Sequence, residues 1–372
     1  MIRLAGQKIL EKHPHLKDTF GYQMNDFGAI VAAAALAHDI GNPPFGHSGE
    51  KAIGEYFSHG NGKRFKNLLT DKEFQDLVKF EGNANGFRIL TENRPGITGG
   101  LRLSYATLGA FTKYPKESLP HKPSRNIEDK KFGFFQSEKE IFQEIAEELG
   151  LHPTREGKDT GYTRHPLAFL VEAADDICYT IIDFEDGINL GLIDEDYALE
   201  YLIKLVKDNI NTSKYKQLGN TADRLAYLRA LAINTLIVEA ADIFIANEEK
   251  ILNGDFHESL FDKSSYEAQI KDIIKISIEK IYQSEEVISK EIAGYSMLSY
   301  LLDLYTRAIL PERNEENSNF HKLLLKSTPK IAILDEKESS LLIRSTRIQN
   351  LDRNVPRARK VPSREVCIPH IG

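Results

Sequence analysis

The stretch NDFGAIVAAAALAHDIG, residues 25–41, constrains the fold of this chain more than any other segment. Asn25 is a suitable N-cap and Gly41 a suitable stop, so the stretch predicts a helix. Its small apolar side chains indicate that other elements pack closely against it on several sides. This helix ends in His38 and Asp39, an imidazole and a carboxylate that are costly to bury unless a partner satisfies them.

Two interpretations of the His38-Asp39 pair are open at this point. A divalent metal would satisfy both side chains, and mixed nitrogen and oxygen ligands suit manganese, iron, cobalt, nickel or magnesium better than a structural zinc. Alternatively, His38 donates to a carbonyl and Asp39 caps the next turn. An isolated His-Asp pair is a weak signal by itself.

Further polar residues follow at helical spacing. After the turn at Pro43 and Pro44, His47 and Glu50 stand three positions apart at the start of the next predicted helix, which places them on one face. This spacing suits an imidazole oriented by a carboxylate, as in a general acid or base. It suits an exposed surface pair equally well.

A second helix is predicted over residues 166–186. Asp175, Tyr179 and Asp183 fall at i, i+4 and i+8, so they form a stripe on one face of an otherwise apolar helix. Two carboxylates and a phenol in that setting indicate a functional site more than a solvated face.

The pattern of the whole chain favours an all-α fold. Long helical patterns cover about 223–251 and 266–310, residues 114–131 are predicted to form a loop, and no run shows hairpin signals or βαβ order.

With 41% hydrophobic and 28% charged residues, the chain is globular and neither disordered nor fibrous. A net charge of −7 argues against a nucleic-acid-coating protein, and two cysteines suit a reducing compartment. Lacking a signal peptide or a long apolar run, the sequence predicts a soluble, cytoplasmic protein with no membrane association.

At this point the motifs resemble those of a known family. HDIGNPPFGHSGE at 38–50 and HPLAFLVEAADDICYTIIDFEDG at 165–187 resemble the deoxyguanosinetriphosphate triphosphohydrolases, a branch of the HD-domain metal-dependent phosphohydrolases. FEGNANGFRIL, FTKYP, FGFFQSEKEIF and EIAGYSMLSYLLDLY extend the resemblance over roughly residues 1–335. It implies an HD-type helical core at 1–190, an appended helical region at 191–335, and a divergent, basic, irregular tail at 336–372.

The resemblance also implies an activity and the residues that perform it. The implied reaction is water attack at the α-phosphorus of a deoxynucleoside triphosphate, expected to be dGTP, yielding a deoxynucleoside and inorganic tripolyphosphate. Manganese or magnesium is the expected cofactor, with nickel, cobalt or iron as alternatives. The implied roles are metal ligation by His38, Asp39 and Asp175; proton transfer and water activation by His47 and Glu50; triphosphate binding by Asn83 and Lys113; and deoxyribose binding by Tyr179 and Asp183.

Two departures from the family pattern keep other functions open. The family has a further metal-binding histidine at a position before His38, and this chain does not contain that histidine. His13 and His15 are predicted to lie in a polar loop, so they are poor substitutes for it. After about residue 338 the resemblance is lost. A shifted reading frame would produce such a loss, and so would a basic extension. A nucleotide-binding or regulatory subunit without a complete metal site is therefore an alternative, and an HD-type phosphohydrolase acting on another phosphoester is a third. The resemblance further implies a homo-oligomer, expected to be a hexamer, and a nucleotide or single-stranded DNA effector.

Overall fold

The computed structural model describes residues 1–93, 100–155, 157, 159–309 and 318–327. This part of the chain is predominantly helical, and its only strand-like pairings are two isolated antiparallel bridges. The predicted all-α class is therefore confirmed. None of the described helices is long and apolar enough to cross a membrane.

The α-helices follow one another in chain order, with five short 3₁₀ turns between them and two π-helical turns that continue α-helices. The helices are α1 Ile2–Lys12, α2 Pro14–Asp18, α3 Met24–Ala37, α4 Gly46–Ser58, α5 Asp71–Val78, α6 Gly82–Thr91, α7 Tyr105–Phe111, α8 Lys139–Glu148, α9 Ala168–Ile177, α10 Asp183–Asn189, α11 Glu195–Val206, α12 Thr212–Gln217, α13 Thr221–Ala246, α14 Glu248–Asn253, α15 Glu267–Ser277, α16 Glu285–Ile309 and α17 Asn319–Ser327. The π-helical turns are Cys178–Ile182, between α9 and α10, and Ile278–Tyr282, after α15.

Two compact units divide the chain, and the first comprises Met1–Leu36 with Arg164–Ser289. Its central helix is α13, which packs against α1, α9 and α11. Four of the fully buried side chains of α13 lie four residues apart: Leu228, Ala232, Leu236 and Ala240. This spacing forms one continuous apolar stripe, which is the contact surface of the helix.

The second unit comprises the described residues of Ala37–Thr163 and those from Lys290 onward. Aromatic rings form its core: Phe134 stacks on Phe142 with ring centroids 4.5 Å apart, and Phe87 meets Phe142 edge-on at 5.4 Å. The predicted division at residues 190 and 335 stays a prediction, and the predicted tail at 336–372 lies outside the described residues.

The segment predicted as a loop at 114–131 is irregular, with one 3₁₀ turn at Ile127–Asp129, yet much of it is buried. Glu117 is fully buried and accepts hydrogen bonds from Lys139 Nζ at 3.2 Å and from the Thr160 backbone N–H at 2.8 Å. Lys72 Nζ donates to the same carboxylate at 2.5 Å. These contacts satisfy a buried charge and fix a segment whose strand-like pairing is the isolated bridge between Lys116 and Gly161.

The boundaries of two predicted helices differ from the structure. The alanine-rich helix begins at Met24, so Asn25 lies inside its first turn, and Asp26 accepts from the Gln23 backbone N–H at 2.8 Å. The helix predicted over 166–186 runs on to Asn189 and contains a π-helical turn in its middle.

Candidate functional site

The predicted His-Asp pair lies at the start of the sharp turn between α3 and α4. His38 Nε2 is 3.0 Å from Asp39 Oδ2, and Asn42 Nδ2 donates to the other oxygen of Asp39 at 2.6 Å. The side chain of His38 is 37% exposed and that of Asp39 is 65% exposed. An imidazole nitrogen and a carboxylate are thus adjacent and open to a ligand.

The backbone of this turn places the next two predicted residues on one helix. Phe45 has φ +67° and Gly46 has φ +53°, both in the left-handed region, so the chain reverses sharply after Pro43 and Pro44. Helix α4 begins at Gly46. His47 therefore lies in its first turn and Glu50 three residues further along the same helix, near its start, as the sequence predicts.

A close approach of backbones joins this turn to the start of α6. A Cβ on Gly41 would lie 2.1 Å from the Gly82 carbonyl oxygen and 2.0 Å from the Gly86 nitrogen, so only glycine fits there. Asn85 Nδ2 donates to the Gly41 carbonyl at 2.8 Å, and Glu50 Oε1 accepts from the Gly82 backbone N–H at 2.7 Å. The carboxylate of Glu50 is held by this contact.

Lys131 lies at the centre of a group that we call the Lys131 cluster: His47, Glu50, Glu81, Asn83 and Lys131. Lys131 Nζ is 2.9 Å from Glu81 Oε1, 3.7 Å from Glu50 Oε2 and 3.4 Å from His47 Nε2. Asn83 Nδ2 donates to Glu81 Oε1 at 2.7 Å. The structure thus brings three of the residues predicted from the sequence together around a cation.

The electrostatics of the cluster keep Lys131 protonated. Burial raises the pKa of Glu81, and Lys131 opposes that rise. Burial by itself would lower the pKa of Lys131, but the negative charges of Glu81 and Glu50 outweigh it, so this pKa is raised. A protonated lysine can only donate, so Lys131 can bond Nε2 of His47 in the tautomer that leaves this nitrogen without a proton.

The partners of Glu50 in the structure are groups other than the side chain of His47. No hydrogen bond or ion pair joins the two side chains among the residues that the structure describes. Glu50 instead faces the backbone of Gly82 and Lys131, because these donors reach its two oxygens. Sequence analysis missed Lys131 and Glu81; the available signal was that each lies at the edge of a motif, FGFFQSEKEIF and FEGNANGFRIL respectively.

A second group lies within the first unit, on α9, the following π-helical turn and α10. Tyr179 lies in the π-helical turn and Asp183 opens α10. The ring of Tyr282 stacks on that of Tyr179 with centroids 5.4 Å apart and planes 11° apart, and the Tyr282 hydroxyl donates to Asp183. This common neighbour shows that Tyr179 and Asp183 share a face, as the spacing predicts. Single π-helical turns inside α-helices are frequent at functional sites.

The predicted metal ligands lie on different units. His38 and Asp39 belong to the second unit, and Asp175, near the end of α9, belongs to the first. Across the described residues, no three His, Cys, Asp or Glu side chains are grouped so that they could hold a metal ion. The ligand set stays a prediction, and its donor chemistry, one imidazole with two carboxylates, fits a divalent cation.

Three other residues from the sequence analysis have clear positions. Lys113 follows α7, and its Nζ lies 5.9 Å from the ring centre of Tyr114. His13 lies between α1 and α2 with Nε2 2.8 Å from Glu248 Oε1, and His15 lies inside α2, where the sequence had predicted a loop. The contact with Glu248 joins His13 to α14.

Comparison with curated proteins finds several similar chains. The chain is 38% identical, over 349 aligned residues, to the deoxyguanosinetriphosphate triphosphohydrolase-like protein of a Synechocystis species, covering 91% of this chain and 77% of the relative. It is 39% identical over 322 residues to the protein of the same name from Pseudomonas aeruginosa, covering 85% and 70%. It is 29% identical over 387 aligned positions to the deoxyguanosinetriphosphate triphosphohydrolase of Yersinia pestis, covering 87% and 74%. No protein-family model matches the chain.

Proposed function

Because the chain belongs to the deoxyguanosinetriphosphate triphosphohydrolase family, we propose that it hydrolyses deoxynucleoside triphosphates to a deoxynucleoside and inorganic tripolyphosphate, with dGTP as its preferred substrate. The substrate preference rests on the names of the relatives. The chemistry rests on the residues of the Lys131 cluster.

The observation that carries the proposal is the position of Lys131 beside His47 and Glu50. A triphosphate brings several negative charges, and a lysine ammonium stabilises them without a fixed donor geometry. The side chain of Lys131 is 24% exposed, so its charge is available to a bound phosphate while remaining paired with Glu81 and Glu50. A cation next to a proton acceptor is the combination that hydrolysis of a phosphoester needs.

The protons of the reaction can be assigned to these side chains. Attack of water at the α-phosphorus forms a bond to the water oxygen and breaks the bond to the 5′-oxygen, so one proton leaves the water and one reaches the 5′-oxygen. As a neutral imidazole, His47 takes up the first and, as an imidazolium, is the group that can return it. Glu50 accepts hydrogen bonds and orients the attacking water.

The proposed metal ligands are His38, Asp39 and Asp175. The cation, manganese or magnesium, would neutralise negative charge on the phosphate oxygens, and nickel, cobalt or iron suit the same donors. The Asp39 carboxylate is positioned for this role by its hydrogen bond from Asn42.

The remaining residues of the proposed site bind the two ends of the substrate. Asn83 and Lys113 contact the triphosphate, since an amide and an ammonium donate to phosphate oxygens. Asp183 accepts from the 3′-hydroxyl, and the ring of Tyr179 leaves little room for a 2′-hydroxyl. A homo-oligomer, expected to be a hexamer, and a nucleotide or single-stranded DNA effector remain part of the proposal by family resemblance alone.

The proposal is tested by incubating the purified chain with Mn²⁺ and each of the four deoxynucleoside triphosphates, and separating the products by ion chromatography. We expect tripolyphosphate, fastest with dGTP, which disappears after chelation with EDTA and returns when Mn²⁺ is added back. Pyrophosphate or orthophosphate as the product would indicate a different phosphohydrolase. Binding of dGTP without turnover would indicate a non-catalytic subunit.

The role of His47 is tested by a matched pair of variants on α4. His47→Ala should lower turnover by roughly 10²–10⁴, because a proton-transfer group contributes about that factor. His59→Ala, at the exposed C-terminal end of the same helix, should leave turnover unchanged. Full activity of His47→Ala would contradict the assigned role.

A further inference from the structure

Tyr282 contacts both residues that are proposed to bind the deoxyribose, although it lies 99 positions from Asp183 in the chain. It ends the π-helical turn Ile278–Tyr282, which continues α15. Its hydroxyl donates to Asp183 Oδ2, and its ring lies parallel to that of Tyr179, 11° from coplanar. One side chain therefore touches the two groups through two different kinds of contact.

The backbone holds Tyr282 at this position. Helix α15 packs against α10, and Ile281 meets α10 at Gly187, one turn beyond Asp183. A Cβ on Gly187 would lie 2.6 Å from Ile281 Cδ1, so this close approach depends on a residue without a side chain. Because Ile281 packs against Gly187, the next residue, Tyr282, lies beside Asp183.

Each contact restricts one degree of freedom of the proposed sugar-binding groups. The hydrogen bond to Oδ2 fixes the rotation of the Asp183 carboxylate and leaves Oδ1 to accept from a ligand. The stacked ring covers one face of Tyr179, whose side chain remains 40% exposed, so its orientation is set while a surface stays open. Neither contact requires Tyr282 to touch the substrate.

We propose that Tyr282 is a positioning residue for sugar selectivity, which orients Asp183 toward a 3′-hydroxyl and Tyr179 against a 2′-hydroxyl. This inference rests on the proposed function, because it takes a deoxynucleoside triphosphate as the ligand. It extends that function by assigning the discrimination to a residue outside the predicted motifs.

Equilibrium binding separates this inference from the proposed reaction. Calorimetry gives the Kd of dGTP, 2′,3′-dideoxy-GTP and GTP. The ratio of the Kd of the dideoxy compound to that of dGTP measures the preference for a 3′-hydroxyl. The ratio of the Kd of GTP to that of dGTP measures the rejection of a 2′-hydroxyl. Tyr282→Phe removes the hydroxyl, which interacts with the side chain of Tyr179 as well as with Asp183, and keeps the stacked ring. It should lower the preference for dGTP over the dideoxy compound by about tenfold, the usual effect of losing a hydrogen bond to a charged group. Its preference for dGTP over GTP should fall less than in a variant that also lacks the ring.

Tyr282→Leu removes both contacts and should reduce both preferences. Tyr197→Phe is the matched control, because it deletes the hydroxyl of an exposed tyrosine in the same unit, which hydrogen-bonds the Tyr201 hydroxyl at 2.8 Å; it should change neither ratio. Melting temperatures of the three variants show whether Tyr282→Phe is folded as the wild type is.

The outcomes are distinct. The positioning role is overturned if the wild type binds dGTP selectively and both Tyr282 variants keep the wild-type ratios. It is also overturned if the wild type shows no selectivity for the sugar. If the wild type shows the expected ratios and the variants lose them, the role is supported even when no tripolyphosphate forms, and only the proposed reaction fails.

Discussion

Replacing Lys131 with glutamine removes the positive charge at the centre of the Lys131 cluster and leaves two carboxylates facing each other. The side chains of Glu81 and Glu50 are only 7% and 12% exposed, so water does little to compensate. At an effective dielectric constant of about 20, a charge pair at the 2.9 Å that separates Lys131 from Glu81 interacts by about 6 kcal/mol. Desolvation of the partly buried ammonium offsets roughly half of this. We expect a loss of about 2–3 kcal/mol in the free energy of unfolding at pH 7.5.

The assay is urea denaturation of the wild type, Lys131→Gln, Glu81→Gln and the double variant, which together give the coupling energy between the two side chains. Lys130→Gln, an exposed neighbour in the chain, is the control and should change stability by less than about 0.5 kcal/mol. Because burial raises the pKa of Glu81, the folded state holds its proton more tightly than the unfolded chain does. Glu81 therefore destabilises the fold as the pH rises through its folded-state pKa, and without Lys131 this penalty grows.

The loss in Lys131→Gln should consequently shrink at acid pH, where Glu81 is protonated and needs no cation. A variant as stable as the wild type at pH 7.5, or a loss that does not change between pH 4 and pH 7.5, would refute the electrostatic account of the cluster.

Two further predictions concern a buried carboxyl and a close backbone contact. Burial raises the pKa of Asp76 to about 7, so stability should fall between the ordinary pKa of 3.8 and about 7 as the group ionises. Asp76→Asn should therefore match the wild type near pH 4 and exceed its unfolding free energy by on the order of 2–4 kcal/mol at pH 8, measured by urea denaturation; an equal difference at both pH values would contradict this. A methyl group at position 82 would lie 2.3 Å from Asn42 Oδ1 and 3.0 Å from Glu50 Oε1, so Gly82→Ala should cost about 1–3 kcal/mol in urea and lower turnover at least about tenfold. Gly219→Ala, where a Cβ has open space, is its control, and equal behaviour of the two variants would show that the contact is unimportant.

Helical spacing along the chain by itself determines several features of this protein. The alanine-rich pattern at 25–41 predicts a helix because closely packed small side chains leave few other arrangements, and α3 occupies that stretch with its end shifted by a few residues. The placement of His47 and Glu50 on one helix, and of Tyr179 and Asp183 on one face, follows from spacing within a single element. Such relations are local, so the sequence contains them directly.

The π-helical turns are an intermediate case. Tyr179 lies in a turn whose hydrogen bonds span five residues instead of four, and the apolar pattern of 166–186 gives no sign of it. The turn packs against α13 and α15, which are tertiary contacts that the pattern of a single helix does not contain.

Only the tertiary structure decided which distant residues meet. Lys131 reaches His47 across 84 positions, and Tyr282 reaches Asp183 across 99. Neither pairing leaves a periodic signal in the sequence. The position of Lys131 depends on the path of a buried irregular segment, and that of Tyr282 depends on the packing of a helix. Spacing also left open whether Glu50 orients His47: it places both on one face, but the donors supplied by Gly82 and Lys131 determine where the carboxylate points. Sequence spacing specifies the faces of helices, and packing between elements specifies which groups on those faces are partners.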